Sequence, residues 1–309
     1  GMDEKMPAAI LQKGTTAGQK RIVATVTTLA EEVKKQGIET PANIVVGKVC
    51  ALADEFAWYE KLPLFGCKVL VTRPKETISS MAHKLRLLGA EVLELPAIRT
   101  EPLEDQSLLK EALKELDSYQ WIAFTSQIGV KMKQNSVDVR KLGQVKIASI
   151  VKGTRKALEE RGLFVDLMPA VFDGDSLGNA LCEACEGTEK ILIPRAKIGG
   201  KEILAQLAKK PGLIVNDVPT YDTFYEEQEI IDIKNLFENG EIQTAVFTSA
   251  STVRGFVNAV SGLDFEKVRA ACIGKQTKAE ADSYGMQTFL AKEATIDSVT
   301  DLVVDLNKK

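Results

Sequence analysis

The feature that most constrains the fold is an internal repeat. The stretch SIVKGTRKALEERG, Ser149 to Gly162, lines up without gaps on CIGKQTKAEADSYG, Cys272 to Gly285, at a constant offset of 123 positions. Phe124-Thr125-Ser126 falls on Phe247-Thr248-Ser249, and Leu95-Pro96 on Val218-Pro219, at the same offset. Lys68-Val69-Leu70-Val71 falls on Lys190-Ile191-Leu192-Ile193 with a slip of one residue, which a loop absorbs. Four landmarks in one order mean duplication, and duplication of this size means two structurally equivalent lobes. From Cys67 onward, short β-branched runs alternate with helical patterns bounded by glycines, which is how βαβ units of a parallel sheet read. The expected class is therefore α/β, with five strands per copy.

The second strand of each copy ends in an extended, proline-marked segment, LPAIRTEP in one and VPTYDTFY in the other. If the chain crosses between lobes at both, the segments lie side by side as a two-stranded hinge. That predicts one discontinuous lobe, residues 67–101 with 222–309, and one continuous lobe, residues 102–221. Ligands of open parallel sheets bind beyond the carboxyl ends of the strands, so two such lobes would share a cleft.

The first 66 residues follow another pattern. Gly1-Met2 reads as a tag scar, and Gly1 is set aside. A helix is expected from about Thr16 to Gln36, starting at the Thr15-Thr16 cap signal and stopping at Gly37. A strand is expected over Ala42 to Val46, followed by the aromatic segment Phe56-Ala57-Trp58-Tyr59. This is too little for a complete domain. Five cysteines scattered through a long chain suit reduced thiols, no apolar run reaches the roughly 20 residues of a membrane-spanning helix, and no signal region opens the chain. The expectation is a cytoplasmic, non-membrane protein. A net charge of −3 disfavours nucleic acid but leaves room for an anionic small molecule held by local donors.

Candidate binding residues cluster where strands hand over to helices: Thr125-Ser126, Thr154, Thr248-Ser249-Ala250-Ser251 and Thr277. Hydroxyl residues at such points cap helices, and the amides of the following first turn attract anions. Each is either a cap alone or part of a carboxylate or phosphate site. Arg73, Lys75, Lys152, Arg195, Lys197 and Lys275 lie on the same edge, either as ligand contacts or as solvated charge. Cys182-Glu183-Ala184-Cys185 fits C-x-x-C but falls inside a helical pattern without a second pair, so it supports neither zinc nor redox chemistry. His83, the only histidine, sits on the polar side of a helix striped by Ile78, Met81, Leu85 and Leu88. Neither a P-loop nor a G-x-G-x-x-G after a strand is present, which disfavours nucleotide cofactors.

KVLVTRP from Lys68, LLGAEVLELPAI, the paired FTSxxxV, VPTYDT from Val218 and IGKQT from Ile273 together resemble uroporphyrinogen-III synthase over residues 66–309. The resemblance implies two flavodoxin-like lobes on a two-stranded connector, a cleft active site, and neither metal nor cofactor. It implies hydroxymethylbilane, a linear polycarboxylate tetrapyrrole, as substrate. That bilane loses its hydroxyl, closes through a spiro intermediate and inverts its last ring. Because it also closes unaided to the wrong isomer, the protein's task is chiefly positioning. Tyr221 on the hinge, where the repeat has Ile98, is the implied acid for hydroxide departure, against the plain reading that it only packs the hinge. Carboxylates would be held at Ser126, Thr154, Ser249, Ser251 and Thr277, assisted by Arg73 and Lys75. The N-terminal stretches PAAILQKGTTAGQKRIVATVTTLAEEV, PANIVVGKVCAL and FAWYEKLPLFG resemble the last part of uroporphyrinogen-III C-methyltransferase. The Gly-rich half of that enzyme, which builds most of its cofactor site, has no match here, so no methyltransferase activity is expected. The segment is either a piece of a truncated fusion of consecutive enzymes or a natural docking remnant, and a methyltransferase is the expected fused or associated partner. The competing class is a two-lobed cytoplasmic binding or scaffold protein for an anionic metabolite.

Overall fold

The computed structural model describes residues 2–74, 79–127, 129–130, 142–225 and 232–308. Two sheets organise them. The smaller is antiparallel, in the order β2-β1-β3, from β1 (Pro7–Gln12), β2 (Lys20–Thr25) and β3 (Ala42–Val46), with helix α1 (Leu29–Lys35) packed on it. Its core is Ala8, Ile10, Ile22, Leu29 and Ile38.

Here the expected helix from Thr16 is corrected. Residues 20–25 form a strand, because Ile22 pairs with Ile10 and alternation in Lys20–Thr25 sets one apolar face on the core. Thr15 takes φ 56° in the turn between β1 and β2 instead of capping a helix. The stop at Gly37 agrees: α1 ends at Lys35 with Gln36 as its cap, and Gly37 takes the left-handed φ of 60° that a helix terminus favours.

The larger sheet holds nine strands among the described residues, in the order β12-β11-β10-β4-β5-β9-β8-β6-β7. They are β4 (Lys68–Pro74), β5 (Glu91–Pro102), β6 (Trp121–Phe124), β7 (Lys146–Ser149), β8 (Lys190–Ala196), β9 (Ile214–Tyr225), β10 (Ile242–Phe247), β11 (Arg269–Cys272) and β12 (Gln287–Leu290). Every pairing is parallel except one: β5 and β9 run antiparallel from Ile98↔Tyr225 to Pro102↔Tyr221. That exception divides the sheet into two parallel halves joined by the tails of two long strands.

The halves share one topology. On one side the order is β5-β4-β10-β11-β12, and on the other β9-β8-β6-β7, with Leu167 bridging to Ala148 where a fifth strand would lie. Leu167 is the repeat counterpart of Leu290, the last residue of β12. Numbered within its own copy, each half reads 2-1-3-4-5, the flavodoxin-like order, with the second half entered at a different point of the cycle.

Strands of a doubly covered sheet must be apolar on both faces. In the first half, Leu70, Leu95 and Phe247 face α7 (Ile233–Glu238), α8 (Ala250–Ala259) and α9 (Lys275–Asp282). Val69, Val71 and Val246 face α2 (Ser79–Leu87) and α10 (Ile296–Asn307). In the second, Ile122, Phe124 and Leu192 face α3 (Ser107–Lys114) and α4 (Lys152–Glu159), while Trp121, Ala123 and Ile191 face α5 (Gly174–Ala184) and α6 (Glu202–Leu207). Phe247 and Phe256 are fully buried, and burial of each side chain contributes about 1.5–3 kcal/mol. Pro194 is tolerated in β8 because the β6 pairing ends earlier, at Leu192, so no ladder bond is lost to its missing N–H.

The amino-terminal sheet is tied to the first half at the amino ends of its strands. Leu64 N–H donates to Leu88 O at 2.9 Å, just before the starts of β4 and β5. Arg21 reaches Asp54 at 3.0 Å and Glu60 at 3.2 Å. The extension therefore sits on the edge opposite the strand carboxyl ends.

Candidate active site

Each of β5 and β9 runs out of its own half at its carboxyl end, and the two tails pair antiparallel. The carboxyl edges of both halves must then face one another across the hinge. A contact among the described residues joins them directly: Lys152 Nζ, just after β7, lies 2.8 Å from Glu293 Oε2, just after β12. The same ammonium stands 5.6 Å from the centre of the Phe172 ring.

Tyr221 occupies the point where β9 leaves its half. The register with β8 shifts there: Arg195 lies opposite Pro219 and Ala196 opposite Tyr221, so Thr220 is the extra residue, and both Thr220 and Tyr221 are buried. One extra residue in a strand re-aims the side chains that follow it, and Tyr221 is the first residue after it. The side chain is 6% exposed, and its hydroxyl lies 2.9 Å from Ser126 Oγ. Burial pushes the phenol up from its ordinary value, against the opposing pull of the Ser126 hydrogen bond and the nearby Arg195 charge. At neutral pH it keeps its proton and can serve as an acid.

Arg195, 7% exposed, is committed to structure. Its Nε and Nη2 donate to the two carboxylate oxygens of Asp217 at 2.6 and 2.7 Å. The hydrogen bonds to Asp217 raise its pKa further, so the guanidinium is a permanent charge beside Tyr221 and is not a free ligand arm. Lys197 pairs with Asp222 at 3.3 Å, and Lys275 is exposed with no ion pair among the described residues.

The expected hydroxyl residues divide into three kinds. Ser126 Oγ accepts from Gly129 N–H at 3.1 Å. Ser249 closes a capping box with Thr252 at the start of α8, and its Oγ lies 2.9 Å from Ser251 Oγ. Thr154 and Thr277 are the third residues of α4 and α9, 0% and 4% exposed, so their side chains face the packed interior. Val151 and Gly274 precede those two helices and supply no side-chain cap; Thr154 N–H donates to Val151 O at 3.0 Å. The description of Arg73 stops at its backbone in β4, and Lys75 lies outside the described residues.

Cys185 closes α5, and burial pushes its thiol up to about 11, while burial also raises Cys182. Both stay protonated at neutral pH, which suits packing better than metal or redox work. His83 is exposed on α2. Two features escaped the sequence: the Arg195–Asp217 fork and the Lys152–Glu293 bridge. Each joins residues that no motif couples.

Fold and site together define a two-lobed α/β protein whose halves are joined by two paired strand tails, with a buried tyrosine where one of those strands leaves its half. The model of the family described as uroporphyrinogen-III synthase HemD matches residues 79–301. The chain belongs to that family. It is 38% identical over 311 residues to a porphyrin biosynthesis protein HemD from Ruminiclostridium josui, spanning 99% of this chain and 62% of that protein. This chain thus spans less than two thirds of that relative's length. A uroporphyrinogen-III C-methyltransferase from Bacillus subtilis is 28% identical over 170 residues, 53% of this chain and 34% of that enzyme. A crystal structure of mutant uroporphyrinogen III synthase from Thermus thermophilus matches with a TM-score of 0.53 and 16% identity, covering 78% of this chain and 98% of its own. That likeness speaks to the fold.

Proposed function

We propose that this chain cyclises hydroxymethylbilane to uroporphyrinogen III, inverting the last pyrrole ring. The observation that carries the reading is Tyr221: a buried, protonated phenol at the hinge, where the carboxyl edges of two duplicated half-sheets converge. Its proton passes to the departing hydroxyl, which leaves as water, and the bilane becomes an electrophilic azafulvene cation. The substituted carbon of the last ring attacks, the spiro intermediate fragments and recloses, and the proton lost on rearomatisation returns to the phenolate. Holding one folded conformation of the substrate supplies most of the selectivity, since the unaided reaction already closes a ring.

The substrate's carboxylates suit the first-turn amides beside Ser126, Thr154, Ser249, Ser251 and Thr277, with Arg73 and Lys75 as further charge. The hinge pairing supports the lobe limits of 67–101 with 222–309 and 102–221. Residues 1–66 read as the last part of a methyltransferase domain, supported by the motifs that build its small sheet, with a methyltransferase as fused or associated partner. Among the described residues no helix is long and apolar enough to cross a membrane, which agrees with a cytoplasmic place of work.

The test supplies the protein with freshly made hydroxymethylbilane and separates the oxidised products by isomer. A type III fraction well above the spontaneous background is expected. A background mixture would mean a protein that binds the anion without turning it over.

A further inference from the structure

Resting on the reading of Tyr221 as the acid, the geometry points to a separate task for Ser126. We propose that Ser126 is a positioning residue that holds the Tyr221 oxygen as an acceptor and so leaves the phenol proton aimed away from Ser126, toward the leaving group.

A serine hydroxyl offers one proton and two acceptor sites. Gly129 N–H occupies one acceptor site at 3.1 Å. A hydroxyl that already accepts becomes a better donor and a poorer second acceptor, because hydrogen bonds in a chain polarise one another. Its other partner among the described residues is the Tyr221 oxygen at 2.9 Å. The chain therefore runs from Gly129 N–H through Ser126 O–H to the phenol oxygen. After proton transfer the same serine proton stays on the phenolate, and the Arg195 charge favours that form.

The duplication supplies an internal contrast. In the other half, Ser249 stands at the equivalent point, but Thr252 holds it in a reciprocal capping box, and Ile98 replaces the tyrosine. At position 129 a glycine replaces that threonine, so no side chain there competes for Ser126. Packing there is tight: a Cβ at Gly129 would meet Pro194 O at 3.1 Å. One landmark in the repeat thus serves as a helix cap in one half and as a partner of the tyrosine in the other.

The experiment is a double-mutant cycle in the full chain, with kcat and KM measured on hydroxymethylbilane for Ser126→Ala, Tyr221→Phe and the pair. Ser126→Ala is expected to lower kcat roughly tenfold, the scale of one hydrogen bond to a developing charge, with KM within about twofold. In the Tyr221→Phe background the same change should cost less than about twofold. Ser126→Thr, which keeps the hydroxyl, should restore most of the rate. If alanine prevents folding, Ser126→Cys, a weak donor of similar shape, goes through the same cycle. Equal losses in both backgrounds, or a loss confined to KM, would overturn the inference in favour of capping or carboxylate binding. An unchanged rate for Tyr221→Phe would instead remove the acid role itself while leaving isomer selectivity intact.

Discussion

Residue by residue, the chain spends its ionisable groups on local geometry. Glu189, just before β8, accepts from the amides of Glu186, Gly187 and Thr188 at 2.6, 2.8 and 3.0 Å. Those amides hold its carboxyl down to about 2, from an ordinary 4.5. A depressed folded-state value stabilises the fold above the unfolded value, and the gain disappears as pH falls through the folded one. Glu189→Gln is therefore expected to unfold at lower urea than the parent at pH 7, with the gap closing between about pH 4.5 and 2. A gap independent of pH would assign the effect to the turn's shape instead. Tyr221 shows how a single position acquires chemistry. In the sequence it was singled out by its place on the expected hinge and by the resemblance of its VPTYDT segment, its repeat counterpart being Ile98. What could not be read is the extra residue, Thr220, between the partners of Arg195 and Ala196, because a bulge depends on how two strands 20-odd residues apart in sequence align.

At the scale of elements, helix α8 lies against the hinge. Gly255 on α8 faces Ala97 and Ile98 of β5 so closely that an added Cβ would stand 2.7 Å from both Ala97 O and Ile98 Cγ2. Gly255→Ala gains helix propensity of about 1 kcal/mol, yet it must push backbone from backbone. Overpacking of this kind costs about 1–3 kcal/mol, so net destabilisation in urea unfolding is expected, together with slower turnover as the hinge strand shifts. A more stable variant would show that α8 has room to move. The elements themselves were largely legible. The expectation of five strands per copy, from β-branched runs and the offset of 123, holds in one half; in the other, four strands form among the described residues and the fifth place holds only the bridge of Leu167 to Ala148. The failure was Lys20–Thr25, where a short strand next to a real helix start was absorbed into one helical window. Cross-strand pairing with Pro7–Gln12 decides that segment, and local propensity carries little weight over six residues.

For the whole molecule, closure across the cleft rests on contacts between the two halves. The Lys152–Glu293 bridge is half exposed at both ends, so it contributes only about 0.2–1 kcal/mol and is weakened by salt. Hinge proteins respond to small biases, because open and closed forms differ by little free energy. Glu293→Gln should enlarge the radius of gyration measured by X-ray scattering at low salt. It should also raise KM more than it alters kcat, and both differences should shrink near roughly 0.5 M salt, where screening acts within a few ångströms. Identical scattering curves at low salt would show that the bridge plays no part in closure.

The sequence by itself determined the class, the duplication and the two proline-marked segments that were candidates for a hinge. These follow from periodicity and self-similarity, which are local or repeated properties of a chain. Only the tertiary structure decided which side chains meet. Ser126 with Tyr221, Arg195 with Asp217, and Lys152 with Glu293 are 95, 22 and 141 residues apart. Such pairings depend on strand register, on a bulge and on two half-sheets brought edge to edge. No periodic pattern encodes those features, because each arises from the packing of the whole.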